Sequence, residues 1–161
     1  MKNEGKKDAP GVKVVAQNRA ASYNYILLDK CEAGIVLVGT EVKTLREGKA
    51  TLRDAYAEFK RGEFWLVNVH IPEYRPGGPW NHDPIRPRKL LLHRREMERL
   101  AVRIHQKGLT LVPLKIYFRD GRAKCELALA QGKKFHDRRQ AEREQEDKRE
   151  AREAIARSRR R

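Results

Sequence analysis

The sequence predicts a mostly β protein: an OB-like antiparallel β-barrel of about six strands with one main helix at 93–107, short helices elsewhere, and a C-terminal tail that is disordered when free. Three observations carry this. Short runs of β-branched and aromatic residues recur along residues 12–130, each bounded by Gly, Asn or Asp. Several of these runs are joined by tight turns, Arg61-Gly62 and Asp120-Gly121, and the chain lacks the strand–helix alternation of a parallel sheet. Residues 131–161 have a composition that cannot build a core. The chain therefore divides into a flexible N-terminus at 1–11, a barrel at 12–130 and a basic tail at 131–161.

Taken in order, Met1 to Gly11 is polar and Lys-rich. Val12 to Ala16 reads as a first strand, and Asn18 as the N-cap of one turn through Ser22. Tyr23 to Leu28 resumes a strand. The stretch Glu32 to Ala50, EAGIVLVGTEVKTLREGKA, reads as a Glu32-Ala33-Gly34 turn, a strand at Ile35 to Val38, and a short helix capped by Thr40. In that helix Val42 and Leu45 face a core, Lys43 and Arg46 point outward, and Gly48 ends the turn.

Ala55–Lys60 and Glu63–Val69 form a hairpin about Arg61-Gly62. From His70 to Lys89 five prolines and two glycines break all periodicity, leaving a long loop with Tyr74 and Trp80 exposed among cations. His93 to Lys107 carries Met97, Leu100, Ala101 and Ile104 at helical spacing, with Gly108 placed to end it. Leu109–Arg119 and Arg122–Ala130 pair about Asp120-Gly121, and Pro113 marks an edge or a bulge.

The tail holds twelve Lys or Arg against seven Asp or Glu, and only Phe135 and Ile155 are bulky apolar residues. Glu144–Lys148 and Glu153–Arg157 are favourable pairs four residues apart, each worth a few tenths of a kcal/mol. An isolated helix of this composition is marginal, so the tail is expected to order inside a polyanionic groove.

A formal net charge of +15 over 161 residues directs attention to phosphate-rich partners, through counterion release. Small barrels of this type commonly bind nucleic acid. No stretch reaches the roughly 20 apolar residues that span a bilayer, and no signal peptide is visible. With Cys31 and Cys125 read as reduced thiols, a cytoplasmic location without membrane partners is expected. The five histidines form no metal-ligand spacing and no nucleophile elbow, and no Gly-rich phosphate loop follows a strand. The expectation is therefore a binding protein, not an enzyme, with no cofactor and no metal.

Lys43, Arg46, Arg88, Lys89 and Lys124 stand beside apolar anchors, which as a set suits an RNA surface. Glu32 and Glu41 would be odd in a phosphate clamp. A carboxylate there accepts hydrogen bonds from base edges or 2′-hydroxyls, or orients a neighbouring cation; for Glu41, plain compensation of a helix N-terminus serves equally. His136, in GKKFHDRR, is a stacking candidate for an unpaired base.

Asn18-Arg19 before Tyr25, EAGIVLVGTEVKTLREGK, DPIRPRKLLLH, GLTLVPLKIYF and GKKFHDRR with its charged tail together resemble the SsrA-binding protein (SmpB) family. The resemblance implies an OB-like barrel that binds the tRNA-like domain of transfer-messenger RNA. It further implies delivery of that RNA, with elongation factor Tu and GTP, to ribosomes stalled without a stop codon, for trans-translation. By match to the family's motifs, Asn18, Arg19, Glu32, Glu41, Lys43, Arg46, Lys89, Leu91 and Lys124 belong to the RNA-binding surface. Gly132, Lys133, Lys134, His136, Asp137, Arg138, Arg139 and Ile155 belong to a tail that is helical in the empty mRNA path and acts at the small-subunit decoding centre. Where many relatives have Asp-Lys-Arg, this chain has Asp137-Arg138-Arg139, which keeps the charge and changes the donor's shape. The competing class is a ribosomal protein or general RNA chaperone on the same barrel, indifferent to the tRNA-like fold.

Overall fold

A computed structural model describes residues 10–160, except the side chains of residues 135–137. The chain runs β1 (Val12–Gln17), α1 (Ala21–Asn24), β2 (Tyr25–Ile35), α2 (Gly39–Arg46), β3 (Tyr56–Lys60), β4 (Glu63–Val67), a 3₁₀ segment (Arg75–Trp80), β5 (Arg88–Leu91), α3 (Arg94–Lys107), β6 (Thr110–Arg119), β7 (Arg122–Gly132) and α4 (Phe135–Ser158). Six strands close a ring in the order β6-β3-β4-β5-β2-β7 and back to β6, and β1 is added beside β6. Every pairing is antiparallel. The ring removes most free strand edges, as the barrel reading requires.

Local chemistry explains the turns. Arg61 and Gly62 both have positive φ, as do Asp120 and Gly121, the geometry that matches a two-residue turn to strand twist. Pro113 stands at a bulge: the β6–β7 register slips between Pro113 and Lys115, which spares the ladder a missing donor. Gly108 ends α3 in the left-handed conformation, as its place after the apolar repeat predicts.

Phe64, Leu66, Leu111, Ile116, Leu127 and Leu129 fill the barrel, with Leu45 of α2 and Leu100 of α3 packed into the same core. Met97, Ala101 and Ile104 lie along the same face of α3. Cys31 and Cys125 are free thiols. Burial pushes Cys31 up to about 11 and Cys125 higher still, so neither is a nucleophile at neutral pH.

The structure corrects the sequence reading in four places. Glu32-Ala33-Gly34 is not a turn; it lies inside the eleven-residue β2, paired with Glu126, Cys125 and Lys124 of β7. Gly34 serves close packing, since a Cβ there would stand 3.2 Å from Leu91 Cβ. The strand ends at Ile35 instead of Val38, with the Val36 amide still donating to the Lys89 carbonyl at 3.0 Å, and α2 is capped two positions earlier than expected, by Val38 with Glu41 at N3. The Glu41 carboxylate accepts the Val38 amide at 3.2 Å, the second half of a capping box without the first.

Asn18 caps nothing: its side-chain amide donates to the Pro113 carbonyl at 3.0 Å and its backbone amide to Leu114 at 2.7 Å, fastening the β1–α1 corner to β6. The basic end of the long loop contains a seventh strand, β5. Residues 135–158 are helical, the conformation expected of the tail inside a polyanionic groove. The expected flexible segment at 1–11 lies outside the described residues up to residue 9, and Gly11 accepts the Asp120 amide at the end of β6.

Candidate nucleic-acid interface

β5, β2, β7 and β6 are neighbours in the ring, and their register builds one outward row. Gly34 faces Leu91 on one side and Lys124 on the other, and Lys124 faces Tyr117. One step along, Glu32 faces Glu126, which faces Lys115. Directly opposed residues share a sheet face, so all of these side chains leave the barrel on the same side. The alternate positions Ala33, Cys125 and Ile116 are buried. Sequence places Glu32, Leu91 and Lys124 far apart; only closure of the ring brings them together.

Within this row carboxylates hold cations in place. Glu32 pairs with Arg119 at 2.7 Å and accepts the Tyr117 hydroxyl. Glu126 pairs with Lys115 at 3.2 Å and Lys30 at 3.7 Å. The Tyr117 ring lies beneath Lys115 and Arg119, at 5.5 and 5.4 Å from its centroid. Burial, followed by the bond to Glu32, pushes the Tyr117 phenol well above its ordinary value. Glu32 therefore orients a neighbouring cation, one of the readings its sequence context left open. Tyr117 and Arg119 were missed by sequence reading, since an aromatic residue in a strand signals only the strand. Leu91 is 52% exposed beside Lys124, an apolar contact set among charges.

The second group is built on α2. Lys43 and Arg46 point to solvent, and Lys43 Nζ stands 5.4 Å from the Tyr74 ring centroid. Among the described residues, Lys43, Arg46 and Lys124 have no carboxylate within ion-pair distance, whereas Lys89 pairs with Glu63 at 2.8 Å.

Two assignments change. Glu41, expected on the RNA surface, is fully buried, and both its oxygens are engaged. It accepts Arg88 Nε at 2.5 Å and Arg86 Nη2, besides the Val38 amide. Burial opposes its charge, but the hydrogen bonds from Arg86, Arg88 and Val38 outweigh it and hold the carboxyl below its ordinary value. Glu41 thus presents no free oxygen at the surface; it fixes two arginines. Arg88, read as a surface cation, is equally buried and donates to Val69 at 2.6 Å and Pro84 at 3.1 Å.

At the other end of the sheet, Gly132 pairs with Tyr25 and ends β7. Lys133 bonds back through its amide to Asn24 (3.1 Å) and through Nζ to Ser22 (2.9 Å). These bonds seat the start of α4 on α1, where Tyr23 also donates to Glu142. Arg138, Arg139 and Ile155 are exposed along α4, and Arg157–Glu153 forms one of the two expected pairs, at 3.5 Å. Glu144 accepts from Gln140 at 3.4 Å, a second link four residues apart. The side chains of His136 and Asp137 lie outside the described residues. Arg19 is exposed at the β1–α1 corner.

A closed antiparallel barrel with oriented cations on one face and a long basic helix at its end defines a class: a binding protein for a folded polyanion. The model of the SmpB protein family matches residues 15–157. The chain is 59% identical over 134 residues to the SsrA-binding protein of Syntrophomonas wolfei, covering 83% of this chain and 85% of that one. It is 54% identical over 145 residues to the SsrA-binding protein of Brucella canis, covering 89% and 92%. A solved structure described as "tmRNA-SmpB: a journey to the center of the bacterial ribosome" matches with TM-score 0.63 and 52% identity, over 74% of this chain and 85% of that chain. The chain belongs to the SmpB family.

Proposed function

We propose that this protein binds the tRNA-like domain of transfer-messenger RNA on its barrel and brings that RNA to stalled ribosomes for trans-translation. The observation that carries the reading is family membership across barrel and tail together, residues 15–157. The oriented cation row supports it: Glu32, Leu91 and Lys124 lie on one face, so a folded RNA meets fixed donors instead of a diffuse positive charge. The role is that of an adaptor, not an enzyme.

In this reading Lys43, Arg46 and Lys89 extend the barrel contact, and Asn18 and Arg19 act at its corner, Asn18 through the strand it fastens. Gly132, Lys133, Lys134, His136, Asp137, Arg138, Arg139 and Ile155 serve the small-subunit decoding centre and the vacant mRNA path, with His136 stacking on an unpaired base. Delivery proceeds with elongation factor Tu and GTP, in the cytoplasm. The tail is a segment that gains its final conformation on the ribosome.

The test is competition binding at fixed salt, between the tRNA-like domain and an unrelated hairpin of equal length. Preference for the tRNA-like domain by at least tenfold is expected. Equal affinities would reduce the protein to a general RNA chaperone.

A further inference from the structure

Between α2 and the 3₁₀ segment lies a hollow of about 460 Å³, lined by Val38, Gly39, Thr40, Lys43, Trp80, Asn81, His82 and Arg86. Its size lies within the range of small-ligand sites. Trp80 stands at this hollow 88% exposed, the most exposed large apolar side chain among the described residues. A single exposed aromatic is ordinary; one beside a preformed hollow and two cations is a stacking platform with a charge rim.

The hollow is held open by bonds that cross it. His82 Nε2 donates to the Ile71 carbonyl at 2.9 Å, and its Nδ1 shares a hydrogen bond with the Thr40 hydroxyl at 2.8 Å. The Asn81 side chain closes residues 74–81 on themselves, accepting the Tyr74 amide at 2.9 Å and donating to its carbonyl at 2.7 Å. A Cβ on Gly77 would stand 3.2 Å from Thr40 Cγ2, so the loop sits on α2 with little slack. At the rim, Arg86 is aimed by Glu41, and Lys43 is steadied by the Tyr74 ring.

We propose that this hollow receives one unstacked nucleotide of the bound RNA, its base on Trp80 and its phosphate between Lys43 and Arg86. The inference rests on the RNA-binding reading and adds a subsite separate from the Leu91–Lys124 row. A flat ring beside two cations, one of them (Lys43) with no carboxylate within ion-pair distance among the described residues, fits a nucleotide better than an apolar peptide, which would leave that charge without a partner.

The test uses the full chain and the isolated tRNA-like domain of transfer-messenger RNA. Trp80→Ala should weaken binding about 5- to 150-fold, the ratio that corresponds to ~1–3 kcal/mol of base stacking, and Trp80→Phe should restore most of it. In a Trp65→Phe background, emission from Trp80 should be quenched on titration with that RNA. Affinity within twofold of wild type for Trp80→Ala, or unmoved Trp80 emission at saturation, overturns the subsite. Lys124→Ala separates the two levels. If it weakens binding while the Trp80 readouts are flat, RNA binding stands without the subsite; if the unmodified protein fails to bind the RNA, the underlying reading falls.

Discussion

Arg88 donates from Nε to Glu41 Oε2 at 2.5 Å, and both side chains are fully buried. This pair joins α2 to β5 across 47 positions of sequence. The remaining donors of Arg88 go to carbonyls of Val69, Asp83 and Pro84, so the long loop is fastened to the core through one guanidinium. The other oxygen of Glu41 accepts Arg86 Nη2, which holds the half-buried Arg86 side chain against the same carboxylate.

Removing one partner of such a pair leaves a buried charge alone. Glu41→Gln or Arg88→Met should therefore cost about 3–5 kcal/mol of stability, read by urea denaturation. The double variant should cost less than the sum of the two. Additive losses would mean the residues are not coupled.

The same pair predicts a pH window. The folded carboxyl of Glu41 lies below its unfolded value of 4.5, so its contribution is fully present above that value and is lost as pH falls through the lower folded value. The urea midpoint of the wild type should drop below about pH 4.5, and that part of the drop should be missing in Glu41→Gln. Identical acid profiles for the two proteins would refute the assignment.

Tyr117→Phe deletes the hydroxyl that Glu32 accepts and keeps the ring under Lys115 and Arg119. We expect a loss of about 1 kcal/mol in stability and a several-fold drop in RNA affinity, as Arg119 loses its fixed carboxylate. Because the folded phenol is raised, stability from this bond is complete below the unfolded value of 10.0 and is lost as pH rises through the folded one. Ultraviolet titration of the wild type should show a late-ionising tyrosine that is missing in Tyr117→Phe.

Deleting residues 135–161 should leave affinity for the isolated RNA within about threefold while abolishing peptide tagging on stalled ribosomes. The cut belongs after Lys134, because Gln131 and Gly132 pair with Ile26 and Tyr25 and Lys133 holds α1. Loss of RNA affinity in the truncated protein would contradict the division between barrel and tail.

The logarithm of the binding constant should fall linearly with the logarithm of salt, with a slope set by the phosphates neutralised. Lys124→Ala and Lys43→Ala should each reduce that slope by about one. An unchanged slope would place these lysines outside the contact.

The sequence alone determined the tight turns at Arg61-Gly62 and Asp120-Gly121, the apolar face of α3 and its end at Gly108, the outward Lys43 and Arg46, and the family, because each depends on residues close in the chain or on ordered motifs. Gly34 misled because a glycine between charged and apolar residues reads as a turn, while its actual reason is the Leu91 side chain on another strand. Only the tertiary structure decided that Arg88 and Glu41 are buried against each other, and that Tyr117 and Arg119 brace Glu32. Those outcomes depend on which strands close the ring, and burial or pairing of a charge is set by groups tens of residues away, which no local pattern encodes.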